Sequence, residues 1–359
     1  MVINPAFWSK KKVLITGHTG FKGSWLALWL KSLGSNLIGY SLDPPTNPSL
    51  FNIARVDSKM ISLNGDICDL ETLRSTVDRY QPQIVIHMAA QALVMDSYKH
   101  PVKTYETNVM GTVNILEAIR HSESVKVLIN VTSDKCYENR EHEQGYREDA
   151  RMGGHDPYSS SKGCAELITS AYRNSFFSTS DCSRKVFIAS ARAGNVIGGG
   201  DWANDRLVPD IMKKFIVGNP AFIRNPSFTR PWQHVLDPLS GYLLLAEKLW
   251  NDGTKFAEGW NFGPNEVGSQ TVSWVANRLK DLWGEDAQWL PGPSPQPHEA
   301  KVLQLDCSKA RQLLDWTPRL NLDMALDWTS DWYKAYHKKQ DMQKFTYIQI
   351  SRYQNMEPI

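Results

Sequence analysis

Ser133, Asp134 and Lys135 stand side by side just after an apolar run that ends at Val131. A hydroxyl, a carboxyl and an amine make an acid–base set, and a strand that empties into a loop can present such a set to a ligand. A solvated surface turn explains the same trio blandly. Further on, Tyr158 and Lys162 lie four residues apart in YSSSK, so on a helix they share one face. A free phenol titrates near ~10. A neighbouring ammonium, or the positive ring of an oxidised nicotinamide, lowers that value because each favours the phenolate. The phenol then exchanges a proton with a ligand hydroxyl near neutral pH. A chance Y-x-x-x-K is common, so its weight comes from its place in the chain.

That place follows a glycine turn. Gly17, Gly20 and Gly23 lie between the apolar run KVLIT and a helical pattern. The first glycine permits a tight turn, the second lets a pyrophosphate approach the backbone, and the third lets helix and strand pack closely. The helix N-terminus then offers unpaired N–H groups to the phosphates. The context points to a dinucleotide, with Thr19, Phe21 and Lys22 inside the turn as further contacts. Asp43, twenty residues after Gly23, is placed to bind an adenosine ribose, although a turn aspartate before Pro44 and Pro45 fits equally. No arginine follows closely to pair with a 2′-phosphate, which favours NAD over NADP. Asp66 and Ile67 follow the third apolar run and are placed near the adenine. Ala89 and Ala90 follow the fourth and are small enough for the cofactor to lie flat.

Alternating elements are needed to hold these groups in one crevice. Strands are predicted at KVLIT, NLIGYSL, MISLNGDI, QIVIHMAA, VKVLINV and VFIASA. Helices are predicted between them: one with Phe21, Trp25, Leu28 and Trp29 on a face, one capped by Asp69, one from Pro101 to about Ser122 with Val109, Val113, Leu116 and Ile119 buried, and one from Pro157 to Phe176. Strand alternating with helix implies an α/β, Rossmann-type, doubly wound parallel sheet. After Gly198 the rhythm breaks into helices near 207–217, 238–250, 271–283 and 322–338, and a proline-rich loop at 291–297. The expectation is a dinucleotide-binding domain over 1–190, a smaller mixed α/β substrate domain over 191–340 with segments returning to the first, and a fraying polar tail over 341–359.

Composition narrows the class. The 359 residues are 42% hydrophobic and 22% charged, as in a soluble globular protein. Lys plus Arg number 40 against 38 acidic residues, which gives no electrostatic footprint for nucleic acid. MVINPAFWSKKK lacks the apolar core of a signal peptide, and the longest apolar run, SWLALWL, is too short to span a bilayer. The five cysteines are scattered and odd in number, which favours reduced thiols in a cytoplasm and argues against a zinc site.

The order GxxGxxG, HMAAQ, Ser133, Tyr158/Lys162 resembles the extended short-chain dehydrogenase/reductase superfamily over essentially the whole chain. The Asp after Ser133 resembles the nucleotide-sugar 4,6-dehydratases, and Lys135, where Glu is commoner, resembles their CDP-glucose branch, as do GHTGFKGSWL, SDKCYEN and RPWQHVLDPLSGYL. The resemblance implies a redox-neutral dehydration: Tyr158 and Ser133 act at a sugar C4 hydroxyl, Lys135 is the C5 base, and Asp134 is the acid for the C6 hydroxyl. Adjacent opposite charges keep Asp134 and Lys135 ionised, whereas burial under ligand opposes this. The resemblance also implies that Gln91, Asn195, Arg206 and Arg230 contact the nucleotide sugar, CDP-glucose being favoured. It further implies a dimer or dimer of dimers, and a cytoplasmic role in deoxysugar supply to lipopolysaccharide O-antigen. A nucleotide-sugar 4-epimerase has no need of Asp134 and Lys135, and a non-catalytic NAD-binding redox sensor has no need of Tyr158 and Lys162. His234 is assigned no chemistry.

Overall fold

The computed structural model describes residues 3–141, 144–177, 185–264, 269–284, 287–292 and 303–357. The six apolar runs form β1 (Lys12–Thr16), β2 (Asn36–Ser41), β3 (Ile61–Asn64), β4 (Ile84–His87), β5 (Val127–Val131) and β6 (Phe187–Arg192). They join a seven-stranded sheet in the order β3, β2, β1, β4, β5, β6, with Gly259–Asn261 added beyond β6. Every pairing is parallel. β4 and β5 are buried along their whole length and β1 from Val13 onward, as helices on both faces require. This is the expected Rossmann architecture.

The order of strands puts a switch point between β1 and β4, where successive connections leave in opposite directions and a crevice opens beyond the carboxyl ends. Thr16 and His87 face each other there. The Thr16 Oγ1 lies 2.7 Å from His87 Nδ1 and accepts from the Met88 and Ala89 amides at 3.1 and 3.2 Å. Burial drives the His87 imidazole down to about 3, so it is neutral.

The helix Phe21–Ser32 starts directly after the glycine turn and buries Trp25, Leu28 and Trp29. Gly34, at φ 80°, follows its end. The Asp69 side chain accepts from the Thr72 amide and caps Leu70–Tyr80. The stretch after Pro101 departs from expectation. A wide, π-type turn over Glu106–Met110 interrupts it before the helix resumes at Gly111–Arg120. Beside the extra residue in that turn Val109 and Val113 are only half-buried while Asn108, Thr112 and Ile115 go inside; Leu116 and Ile119 are buried as expected. Asn108 then bridges the loop after β4 to the next helix, donating to the Gln91 carbonyl at 3.0 Å and the Ser161 hydroxyl at 2.8 Å.

Beyond residue 190 come Leu207–Ile216, Leu236–Asp252, Val272–Trp283, Ser308–Leu314 and Leu322–His337. The helix Leu236–Asp252 packs on β5 and β6, and Gly259–Asn261 completes the main sheet. Residues 293–297 of the proline-rich loop lie outside the described residues. The polar tail is a correction: Met342–Gln354 is a helix capped by Asp341. It packs on Phe21–Ser32 and Leu322–His337, and it buries Met342, Ile350 and Tyr353 together with Thr346 and Gln349. The two buried polar residues find partners, Thr346 Oγ1 accepting from Trp332 Nε1 at 3.0 Å and Gln349 donating to the Trp328 carbonyl at 2.8 Å.

The helix is pinned through Asp237. Its Oδ1 accepts from the Arg319 amide and from the Tyr353 hydroxyl, each at 2.8 Å. Burial raises the Asp237 carboxyl to about 7. A folded-state value above the unfolded one stabilises the fold fully at acid pH and loses that contribution as pH rises through the folded value. Asp237→Asn is therefore expected to flatten the fall in stability between about 4 and 7. Urea midpoints measured at several pH values check this, and an unchanged slope refutes it.

Candidate active site

A cavity of about 840 Å³ opens beyond the carboxyl ends of the strands. It is lined by every candidate residue of the sequence reading: the glycine turn with Thr19, Phe21 and Lys22, Asp43, Asp66, Ile67, Ala89, Ala90 and Gln91, Ser133 through Lys135, Tyr158, Lys162, Asn195, Arg206 and Arg230. The chain thus brings together groups scattered over more than half its length.

The glycine turn fits a dinucleotide. Gly17 has φ 76°, and a methyl added there would lie 2.7 Å from the Ala89 amide nitrogen, so the first glycine is needed for both the turn and the close approach of β4. A methyl on Gly23 would overlap the Gly17 carbonyl oxygen. Gly20 meets only that carbonyl, at 3.4 Å, and leaves its other side open for a ligand. The Thr19 hydroxyl donates to the Leu42 carbonyl at 2.9 Å and ties the turn to the end of β2. Asp43 is exposed at the rim, and Asn64 donates to its Oδ1 at 2.7 Å. Asp66 accepts from the Cys68 amide at 2.9 Å and lies 3.4 Å from Lys103 Nζ. These residues suit an adenosine ribose and base at one end of the cavity.

Sheet pairing stops early enough to turn the trio inward. The last strand-like contact of this segment is the Thr132 amide to the Ala191 carbonyl at 2.9 Å, after which Asp134–Cys136 form one tight 3₁₀ turn. Ser133 caps that turn by accepting from the Lys135 amide at 3.2 Å, and its hydroxyl donates to Asp134 Oδ1 at 2.9 Å. Asp134 is buried and Lys135 half-buried, and both line the cavity with Tyr158. A methyl on Gly194 would overlap the Asp134 carboxylate, so this glycine makes the room that the acid occupies.

Tyr158 and Lys162 sit on the helix Pro157–Tyr172, capped by Asp156, and both are buried. Burial pushes the Tyr158 phenol up to about 12, against a hydrogen bond with Ser133 and the charge of Arg206. The expected lowering by Lys162 does not lead here. Lys162 is itself driven down to about 8 by burial, opposed by Glu166 and Cys136. Lys22 is buried as well and falls to about 7, through burial first and then the charges of Lys162 and Arg206. These groups crowd one pocket, and an anionic ligand bound there would raise the values of both lysines.

The substrate-side candidates differ in how free they are. Arg206 is held by Asp201, Nη1 to Oδ2 at 2.9 Å, with its charge felt at Tyr158. Asp201 went unnoticed in the sequence, although its position five residues ahead in GGGDWANDR was a signal. Arg230 is buried, donates to the Thr229 carbonyl at 3.0 Å and covers the Phe228 ring. Asn195 adopts a left-handed φ of 31° in the loop beside Gly194. The Gln91 amide is engaged by Leu93 and Asp96, so its loop shapes the wall. His234 is buried between the rings of Trp25 and Trp328, in keeping with its having no assigned chemistry. Of the tryptophans, Trp25, Trp29, Trp260, Trp316 and Trp332 are core, and Trp202 and Trp232 reach the cavity wall. No group of three or more potential metal ligands occurs among the described residues, and Cys68, Cys136, Cys164 and Cys307 are free thiols.

The sequence profile described as GDP-mannose 4,6 dehydratase matches residues 14–329. A CDP-glucose 4,6-dehydratase of Salmonella typhimurium is 52% identical over 353 residues, covering 98% of each chain. Among solved structures, a UDP-glucose 4-epimerase from Thermotoga maritima aligns with a TM-score of 0.77 at 22% identity over 90% of this chain and 99% of that one. A dTDP-glucose 4,6-dehydratase from Bacillus anthracis aligns at 0.74 and 22% identity, over 93% and 99%. The two structures show the fold alone.

Gly194→Ala is expected to displace the Asp134 carboxylate and lower kcat by ~100-fold, the usual cost of a misplaced reacting group. NAD affinity, measured by calorimetry, should change little because the atoms that a methyl at Gly194 meets first are those of the Asp134 carboxylate. Normal turnover in this variant would show that Asp134 has room to spare.

Proposed function

The chain belongs to the GDP-mannose 4,6-dehydratase family, within the extended short-chain dehydrogenase/reductases, and from that membership we propose that it is an NAD-dependent hydro-lyase converting CDP-D-glucose to CDP-4-keto-6-deoxy-D-glucose and water. The observation that carries the reading is the joint presence of Ser133, Asp134, Lys135, Tyr158 and Lys162 on one cavity wall. An oxidation at C4 alone would employ Ser133, Tyr158 and Lys162. Two further proton-transfer groups fit a reaction that also removes water. The 52% identity to a CDP-glucose enzyme supports the choice of nucleotide.

NAD held by the glycine turn would supply the acceptor for the C4 hydride and its later donor to C6, and its positive charge would favour the phenolate. Tyr158 takes the proton of the C4 hydroxyl, and Ser133 hydrogen-bonds the same oxygen. Arg206 and Lys162 supply charge that favours the phenolate against its burial. The C4 ketone acidifies the C5 proton, which Lys135 removes and gives back to C5 when hydride reaches C6. Asp134 protonates the departing C6 hydroxyl, so that water leaves and the carbon skeleton is ready for reduction. Lys22 and the glycine turn hold the cofactor, while Arg206 and Arg230 meet the substrate diphosphate, for which a guanidinium fork is suited.

The sheet domain to about residue 190 carries the cofactor, and residues 191–340 supply most of the substrate wall. A homo-oligomer is supported by Tyr98, Val102, Tyr105, Met110 and Leu167, which are exposed on and beside the Tyr158 helix. No helix among the described residues is long and apolar enough to cross a membrane. We assign the enzyme to the cytoplasm and to deoxysugar supply for lipopolysaccharide O-antigen.

Tyr158→Phe is expected to slow single-turnover NADH formation ~100-fold or more. Asp134→Asn and Lys135→Met should still reduce NAD yet fail to eliminate water. Solvent deuterium exchange at C5 separates the two, being suppressed in Lys135→Met and retained in Asp134→Asn. Mass analysis showing no loss of water from CDP-glucose with wild-type enzyme would overturn the reading.

A further inference from the structure

Beneath the cavity floor lies a buried ion pair that the chemistry above does not use. Glu166 and Arg192 are 2.7 Å apart, with side chains 4% and 6% exposed. Replacing a buried pair by apolar residues is often neutral or stabilising, so stability alone explains such a pair poorly. Its hydrogen bonds say what it holds. Glu166 Oε1 accepts from Thr132, the residue just before Ser133. Glu166 Oε2 accepts from Ser190 at 2.6 Å and from Arg192 Nη2. Arg192 Nη1 donates to the Tyr137 hydroxyl at 2.6 Å and to the Glu148 carbonyl at 2.9 Å. Thr132 and Tyr137 flank the turn that bears Ser133, Asp134 and Lys135. The pair therefore grips that turn at both ends.

The same carboxylate is one helical turn beyond Lys162 and two beyond Tyr158, on their face of the helix. We propose that Glu166 is a positioning residue which, through Arg192, fixes the Ser133–Lys135 turn to the Tyr158 helix and so sets the two groups of reacting side chains at one spacing. The inference rests on the assignment of those side chains to C4 oxidation and C5/C6 elimination. Tyr137 extends the grip by donating to Asn261 Oδ1 at 2.8 Å, in the last strand of the sheet.

Charge follows geometry. Burial alone would raise the Glu166 carboxyl, but the Arg192 charge and the donors from Arg192, Ser190 and Thr132 hold it below its ordinary value. An ionised Glu166 raises Lys162 against burial. The other titratable groups that face Lys162 are Tyr158 on its own helix, Cys136 of the turn, Lys22 of the first helix and His87 of β4. Loss of the Glu166 charge lowers the Lys162 value, so activity that needs the ammonium is lost at lower pH.

The test is Glu166→Gln in the full chain with NAD and CDP-glucose. The expected result is a kcat lower by ~100-fold, an alkaline limb of single-turnover NADH formation moved to lower pH, and a crystal structure with Asp134 displaced. A role in stability alone would lower the unfolding midpoint without moving the pH limb, and that pattern overturns the proposal. Thr132→Val cuts one end of the grip and keeps the ion pair. It is expected to slow water loss with the pH limb in place, and it carries the test if Glu166→Gln does not fold, unchanged water loss then overturning the proposal. Wild-type enzyme inert toward CDP-glucose would instead refute the reaction assigned above.

Discussion

The crevice exists because β1 and β4 lie side by side with almost nothing between their ends. Gly17 can turn away only in a left-handed conformation, and Ala89 comes so close that no side chain fits at Gly17. Thr16 and His87 lock that approach from within the sheet. Move the strands apart by one methyl group and the turn, the start of the first helix and the wall at Ala89 shift together. Close packing makes this constraint stiff, since interiors absorb added volume badly. The rest of the site is placed relative to it.

On the opposite side of the cavity the order of events in the chain matters less than the way two elements are joined. The acid–base turn comes from the end of β5, and the tyrosine comes from the next helix. Neither element dictates the distance between them. A buried pair drawn from the helix and from β6 supplies the connection, which makes the site a three-element construction. Burial has a further effect: it keeps the Tyr158 phenol protonated and weakens the hold of Lys162 and Lys22 on their protons, a hold that an anionic ligand strengthens.

Much of this was legible in the residues. Apolar runs such as KVLIT and VKVLINV have only one reading in an alternating chain, and a glycine turn between strand and helix carries its own explanation. Ser133–Asp134–Lys135 and Tyr158/Lys162 could be named because their chemistry is local. What escaped depends on partners distant in sequence. Thr346 and Gln349 belong to what reads as a polar tail until Trp332 and Trp328 are seen to bond them inside the fold. Gly194 looks like any loop glycine until the Asp134 carboxylate lies against it. The π-type turn at Glu106–Met110 has no apolar signature and takes Val109 and Val113 off the buried face that Leu116 and Ile119 keep.

The last helix has a consequence for how the protein is made. Trp29 of the helix Phe21–Ser32 meets Tyr353 of the last helix edge to face, at 5.5 Å between ring centres. Domains emerge from the ribosome beginning at the N-terminus and fold as units. Here the parallel strands can assemble early, but the part of Phe21–Ser32 that packs on residues 342–354 gains that cover only when they have been synthesised. A nascent chain stalled before that point lacks the Tyr353 ring that packs on Trp29. Chaperone contact during synthesis, and aggregation of prematurely terminated chains, would both centre on that part of the helix.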